Sequence, residues 1–332
     1  MHILVVKPSS FGDIVHLFPA LALLHEQYPE MTADFVVNPE FVPLLDYSPL
    51  PVRRRIIFER RKLGKFSTFL PEMCRLYREL RREKYDFAVD FQGLFRSGFL
   101  LGLSRAAVKA GFASPREKSA GIFYNRKISV QPGHAVDRCG ALARQIFDLK
   151  GTLRQTELPE NPAAAAGLPE LPEHYAVFLP GTRWESKRFP PEFFGKLAVE
   201  LRKKFPGLTF IAAGSPQERE IAGAIGNGVV NMAGKTSIGE LFELLRNADF
   251  AVGNDSGPLH AAAALNRPVF GLYGPTDPEL TGPWGEKCGT LTAGSPCSGC
   301  LKRFCPDGSY RCWDLDAGAA ASEIADKVEK MK

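Results

Sequence analysis

Residues 250–264, Phe250-Ala251-Val252-Gly253-Asn254-Asp255-Ser256-Gly257-Pro258-Leu259-His260-Ala261-Ala262-Ala263-Ala264, decide the fold. The first four are apolar or small and read as a buried strand. Positions 254–257 are short and polar enough for a tight loop, and 257–265 open an alanine-rich helix. A strand that passes through such a loop into a helix is the building unit of a parallel α/β sheet. The helix start would aim free backbone N–H groups and a positive dipole end at an anion. Asp255 would be free to bind sugar hydroxyls, and His260 lies one turn into the helix. The plainer alternative is ordinary capping with a histidine satisfied in the core. The stretch is not a Walker loop, because Gly-x-x-x-x-Gly-Lys-Ser/Thr is absent. Nor is it a dinucleotide fingerprint, because Gly-x-Gly-x-x-Gly does not follow the first strand.

The alternation extends in both directions. Strands are expected at 175–179, 208–213 and 268–273, and helices at 191–205, 238–247 and 317–331. Thr236-Ser237 is a fitting N-cap pair for the second of these helices. In the first half, strands are expected at 3–6, 33–37 and 87–90, with helices at 13–27 and 68–84. Residues 158–173 are rich in Pro and Ala, poor in large apolar groups, and read as a linker. The chain of 332 residues exceeds what one core usually supports. The expectation is therefore two doubly wound parallel-sheet domains, 1–157 and 174–332, with ligands at the C-terminal ends of the strands and a central cleft as the active site.

Composition is that of an ordinary folded protein, 45% hydrophobic and 24% charged. No apolar run is long enough to span a bilayer, and the N-terminus lacks the pattern of an export signal, so a cytoplasmic location is expected. Charge is uneven. Residues 1–158 carry 24 Lys+Arg against 16 Asp+Glu, whereas residues 159–332 carry 18 against 21. The basic excess gathers in Arg53-Arg54-Arg55, Arg60-Arg61-Lys62, Lys65 and residues 75–84. It suggests an anionic partner, or else the solvated face of a helix. No nucleic-acid-binding signature accompanies it, and no nucleic-acid partner is expected.

Three further segments could carry chemistry. Lys7-Pro8-Ser9-Ser10-Phe11-Gly12-Asp13 joins the first strand to the first helix. Gly12 permits a close approach or a positive φ, and Asp13 reads either as a helix-capping carboxylate or as a general base. Gly181-Thr182-Arg183-Trp184-Glu185-Ser186-Lys187-Arg188 also lies between a strand and a helix. Its hydroxyl, amides and cations suit a diphosphate, and a polar surface loop is the alternative. Cys297, Cys300, Cys305 and Cys312 fall within 16 residues. They read as a structural zinc or iron site, as a disulfide or redox pair, or as free thiols in a loop.

These residues together resemble glycosyltransferase family 9, the bacterial heptosyltransferases of the lipopolysaccharide inner core, over nearly the whole chain. Residues 6–13 resemble the family's Ser-x-Gly-Asp opening. Residues 90–94, Arg116-Glu117 and residues 123–127 are similar to the acceptor domain of its heptosyltransferase I branch. Residues 254–268 with Tyr273-Gly274-Pro275-Thr276 are similar to the family's most specific signature, spelled as in the heptosyltransferase II branch.

The resemblance implies an α/β GT-B fold with two Rossmann-like domains facing a central cleft. The N-terminal domain would bind acceptor and the C-terminal domain the nucleotide sugar, with the final helix able to pack back on the N-terminal domain. It implies inverting transfer of L-glycero-D-manno-heptose from ADP-heptose to Kdo-lipid A. Asp13 would be the base. Thr182, Arg183, Lys187, Thr236, Asp255, Ser256, Gly257, Pro258, Leu259 and His260 would bind donor, with Lys187 on the diphosphate and Thr236 near the nucleoside. Ser10, Gly12, Gln92, Arg116 and Arg126 would bind acceptor. No metal is required for catalysis, and the cysteine cluster lies outside the catalytic pattern. A monomer is expected, peripheral on the cytoplasmic face of the inner membrane and meeting an anionic lipid A-type acceptor there. The alternatives are transfer of a later core heptose and, in another class, a non-catalytic nucleotide-sugar-binding scaffold.

Overall fold

A computed structural model describes residues 1–331. The chain divides into two units, Met1–Pro159 and Glu160–Lys332. Each unit holds one six-stranded sheet in which every pairing is parallel. The strands of the first are β1 (His2–Val6), β2 (Thr32–Val37), β3 (Val52–Ile57), β4 (Lys84–Asp90), β5 (Arg105–Phe112) and β6 (Arg126–Ile128). Those of the second are β7 (Tyr175–Leu179), β8 (Thr209–Ala212), β9 (Val230–Asn231), β10 (Phe250–Asn254), β11 (Val269–Tyr273) and β12 (Cys288–Thr292).

The first sheet runs in the order β3-β2-β1-β4-β5-β6 and the second in the order β12-β11-β10-β7-β8-β9. Both are the doubly wound order, in which the chain reverses direction across the sheet after its third strand. The switch point lies between β1 and β4 in one unit and between β7 and β10 in the other. Loops leaving neighbouring strands there diverge and open a crevice at the strand ends. Both crevices therefore fall where the sequence concentrates its polar residues, at 7–13 with 90–94 and at 180–188 with 254–260.

The core of each unit explains why the central strands are so apolar. Leu4, Val6, Ala88, Leu76 and Leu80 are buried together on one face of the first sheet. Phe178, Phe194, Phe210, Phe250 and Phe270 are buried together in the second. The last helix, Ala317–Met331, packs on helix Pro191–Lys204 of its own unit. Residues 158–173, read as linker, include a short helix, Pro162–Ala166, that packs on helix Ile238–Arg246 of the second unit.

Differences from expectation concern five strands and the helices Phe95–Leu103 and Ala135–Phe147, for which the sequence reading makes no assignment. β3, β5, β6, β9 and β12 were not foreseen. β3 is an edge strand that carries Arg53, Arg54 and Arg55. Arg54 reaches Asp34 and Glu79, Arg53 reaches Asp34 and Glu83, and Arg55 reaches Asp46. That part of the basic excess is neutralised within the fold. The expected helix 13–27 is broken into Phe11–Val15 and Phe18–Gln27, with Pro19 at the start of the second.

Close approach of the switch strands depends on Gly253, which is paired with Leu179. A Cβ at Gly253 would lie 2.5 Å from the Leu179 Cβ and 2.8 Å from its carbonyl oxygen. Gly253→Ala is expected to lower stability by about 1–3 kcal/mol through overpacking, measured as a reduced midpoint in urea unfolding at unchanged slope.

Candidate active site

In the second unit, β7 ends at Leu179 and β10 at Asn254, and their loops are bolted together by Asn254. Its Nδ2 donates to the Pro180 carbonyl at 2.7 Å, and its Oδ1 accepts from the Phe189 N–H at 3.3 Å. Asp255 follows, almost wholly buried. Its Oδ2 accepts from Lys187 Nζ at 2.6 Å and from Thr276 Oγ1 at 2.7 Å. Its Oδ1 lies 3.6 Å from His260 Nε2, and its backbone carbonyl accepts from Thr182 Oγ1 at 3.1 Å. Burial opposes the charge on Asp255. The nearby His260 ring and the positive charge of Lys187 outweigh it and hold the carboxyl well below the usual carboxylate range.

Lys187 also sits over the Trp184 ring, 4.7 Å from its centre. An ammonium has three donors, so one bond to Asp255 leaves capacity for a second anion. Ser256 is the N-cap of helix Gly257–Ala264, and its Oγ is buried with no hydrogen-bond partner. Buried polar groups are rarely left unsatisfied, so this hydroxyl is a ready donor to a ligand at the helix start. Gly257 and Pro258 are half-buried at that start. Leu259 differs from the expectation of a lining side chain: it is fully buried in the core and can offer a ligand only its backbone N–H. Arg183 is exposed on the Lys187 loop, and Thr236 is half-buried just before the Ser237 cap of helix Ile238–Arg246.

Two features were missed in the sequence. Thr276, quoted only as part of a motif, becomes a partner of Asp255 because β11 lies beside β10. The cysteine-bearing loop is tied to both arms of this cluster. The N–H groups of Gly299 and Leu301 donate to the carbonyls of Gly274 and Pro275, at 2.9 and 2.7 Å. Ser186, next to Lys187, donates its Oγ to the Lys302 carbonyl at 2.5 Å, and Trp313 Nε1 donates to the Ser186 carbonyl at 2.9 Å. Tyr310 stacks on Trp313 at 3.9 Å. Cys297 and Cys300 are exposed, Cys305 is half-buried and Cys312 buried, all as free thiols. Among the described residues, no group of three or more His, Cys, Asp or Glu side chains is arranged to hold a metal ion.

In the first unit, the site again sits where β1 and β4 end. Asp13 occupies the third position of helix Phe11–Val15, not its cap. Its Oδ2 accepts from the Ser10 N–H at 2.9 Å and from Ser10 Oγ at 2.8 Å. Its Oδ1 lies 3.8 Å from Lys7 Nζ, and the side chain keeps 33% of its surface exposed. Lys7 is buried and donates to the Phe91 carbonyl at 2.9 Å, which joins the β1 loop to the β4 loop. Burial pushes the Asp13 carboxyl up, but the Lys7 charge and the two Ser10 bonds prevail and lower it to about 2. Gly12 is helical and buried, and no positive φ is used there.

The β4 loop is organised by Asp90, which accepts from the N–H groups of Gln92 and Gly93, from Ser97 Oγ and from Tyr124 OH. Gly93 has φ +70, and a Cβ there would meet the Arg116 nitrogen at 3.2 Å, so only glycine lets the two loops touch. Gln92, next to Phe91 in the chain, is buried, and its Oε1 lacks a partner. Arg116 is exposed on the adjoining loop. Arg126 is exposed too, but its guanidinium is bonded to the carbonyls of Gln145 and Ile146 at the end of helix Ala135–Phe147.

Residues 73–311 match the model of glycosyltransferase family 9 (heptosyltransferase). The chain is 33% identical to lipopolysaccharide heptosyltransferase 1 of Pseudomonas aeruginosa over 92% of its own length and 87% of that protein's. It is 29% identical to lipooligosaccharide heptosyltransferase 2 of Haemophilus influenzae over 86% and 87%. The solved structure of Escherichia coli heptosyltransferase WaaC with ADP superposes with a TM-score of 0.80 at 30% identity, covering 98% of this chain and 100% of that one. The fold is thus GT-B, and the chain belongs to glycosyltransferase family 9, whose members are heptosyltransferases.

Proposed function

We propose that this glycosyltransferase moves heptose from ADP-heptose to the heptose-free Kdo-lipid A core, with inversion at the anomeric carbon. The observation that carries the donor half is the Asn254–His260 turn, where Lys187 and the unpartnered Ser256 hydroxyl flank the start of helix Gly257–Ala264. A diphosphate fits that arrangement, and the similar WaaC enzyme has been solved with ADP and with ADP-2-deoxy-2-fluoro heptose. The acceptor half is favoured by the higher identity to heptosyltransferase 1 than to heptosyltransferase 2. The enzyme works as a monomer at the cytoplasmic face of the inner membrane, where its acceptor lies.

In this scheme an acceptor hydroxyl donates to Asp13 Oδ1, the oxygen not engaged by Ser10. As the acceptor oxygen bonds to the anomeric carbon, the carbon–oxygen bond to the diphosphate breaks and Asp13 takes the proton. Negative charge grows on the departing ADP. Lys187, Arg183, Ser256 and the backbone N–H groups of Gly257 and Leu259 offset it, so protein cations and dipoles suffice and the step needs no metal. Asp255 holds Lys187 in place and offers Oδ1, with His260, to heptose hydroxyls. Thr182 supports Asp255, and Thr236 contacts the nucleoside. On the acceptor side, Gln92 Oε1 accepts from a sugar hydroxyl, Ser10 and Gly12 shape the wall, and Arg116 and Arg126 face acceptor anions.

The direct test is transfer from ADP-heptose, in EDTA, to acceptors bearing zero, one or two heptoses. Product is expected from the heptose-free acceptor alone; none from any acceptor would reject the donor assignment, and preference for a heptosylated acceptor would select a later step. Asp13→Ala should reduce turnover by about 100-fold or more, in the range of general-base loss, while ADP binding persists. Unchanged turnover would remove Asp13 from the mechanism.

The lowered carboxyl fixes a pH dependence. A carboxyl depressed from 3.8 to about 2 keeps its charge in the folded protein until pH nears 2, whereas the stability linked to it is full above 3.8 and is lost progressively as pH falls from 3.8 through about 2. Between pH 5 and 8 Asp13 should therefore contribute no acid limb to kcat/KM. Lys7→Met removes the favouring cation, so the limb should move upward, read from the pH profile of the variant. A profile identical to wild type down to the acid unfolding limit would show that Lys7 does not set the charge of Asp13.

A further inference from the structure

Helix Phe66–Arg81 carries an apolar stripe that the fold does not use. Leu76 and Leu80 face the core, with Glu72 beside them. Phe66, Phe69, Leu70, Met73 and Tyr77 are spaced i, i+3, i+4, i+7 and i+11, which sets them on one face of a helix. Phe66 is fully exposed, Leu70 is 68% exposed, and Phe69 and Tyr77 about half. Single exposed apolar residues are ordinary, but four along one stripe mark an interaction surface.

Cations surround the stripe. The short helix Arg60–Leu63 and Lys65 lead into it, with Arg60, Arg61, Lys62 and Lys65 all exposed. Lys62 pairs with Glu59, while no ion pair engages Arg60, Arg61 or Lys65 among the described residues. Arg78 and Arg81 are exposed near the far end, Arg81 over the Tyr77 ring. Residues 53–84 carry 12 Lys+Arg against 4 Asp+Glu, and the rest of the first 158 residues is balanced at 12 each. Arg53, Arg54 and Arg55 are neutralised on β3, but residues 60–81, which expose the stripe, still carry 7 Lys+Arg against 2 Asp+Glu. Aromatic and leucine side chains ringed by long, unpaired cations match a bilayer whose headgroups are anionic and whose acyl boundary takes the apolar tips. A protein partner of matching chemistry would need a comparable density of acid around an apolar groove.

We propose that residues 60–81 are the element by which this protein docks on an anionic bilayer, with Phe66, Phe69 and Leu70 inserted at the acyl boundary and Arg60, Arg61 and Lys65 on lipid phosphates. The proposal rests on the heptosyltransferase reading only in that the acceptor lipid resides in the same membrane. The test is flotation of the full-length protein with vesicles of phosphatidylglycerol and phosphatidylethanolamine, against vesicles of phosphatidylcholine alone. Wild type should float with the anionic vesicles, not with the neutral ones, and less at high salt. Phe66→Ser, Phe69→Ser and Leu70→Ser combined should weaken binding about ten-fold or more. Circular dichroism, melting temperature and transfer to a deacylated, water-soluble acceptor should stay as in wild type.

Equal flotation of the triple variant would overturn the proposal. So would failure of wild type to bind anionic vesicles, or a concentration-dependent dimer that the triple variant abolishes, since the stripe would then belong to a second copy. The two propositions separate cleanly. Stripe-dependent flotation supports the surface even where heptosyl transfer fails, and transfer to a bilayer-embedded acceptor without flotation overturns the surface while the reaction stands.

Discussion

The buried carboxylate of Asp255 constrains the second unit more than any other group. An ionised side chain out of water is costly unless several partners meet it. Here Lys187, Thr276 and His260 come from three different places: the loop after β7, the loop after β11 and the helix that follows β10. Satisfying one charge therefore locks three strand-end loops to each other. It also leaves a defined remainder, the spare donors of Lys187, the orphaned Ser256 hydroxyl and the first N–H groups of helix Gly257–Ala264. The cysteine-bearing loop adds a second tier, holding the Ser186 turn and the Gly274-Pro275 turn from behind. These contacts support Lys187 and Thr276 from outside the Asp255 cluster.

The first unit solves the complementary problem at the equivalent place in the strand order. Asp13 is half-exposed, with one oxygen spent on Ser10 and the other turned toward Lys7. A base needs a free lone pair and access, whereas an anion site needs fixed donors. One topology can carry both kinds of site, because each switch point brings two loops together at strand ends and leaves the chemistry to the residues on them.

Much of this was legible in the sequence where apolar content was high. β1, β2, β4, β7, β8, β10 and β11 read directly, since buried central strands are nearly continuous hydrophobic runs, and so did the helices Phe66–Arg81, Pro191–Lys204, Ile238–Arg246, Gly257–Ala264 and Ala317–Met331. β3 was hidden by three consecutive arginines, which an edge strand tolerates because they find Asp34, Asp46, Glu79 and Glu83. β9, of two residues, and β12, with alternate residues exposed, carry too little pattern to read. At the site, Asp13, Asp255 and Lys187 were visible as polar residues in strand-to-helix loops. Thr276, Lys7 and the cysteine-loop contacts were not, because their meaning depends on which strands are neighbours. Leu259 shows the converse: its place in a motif did not reveal that its side chain belongs to the core. The exposed stripe on helix Phe66–Arg81 was concealed for a similar reason, since periodicity shows an apolar face but not which face the fold buries.

We propose that the residues gathered around Asp255 form a nucleotide-diphosphate site. Calorimetric titration of ADP into wild type and Lys187→Ala tests it most directly. Loss of a charge-assisted contact to phosphate predicts binding weaker by about ten-fold or more in the variant, with the fold intact. Equal affinity of the two proteins for ADP would contradict the account.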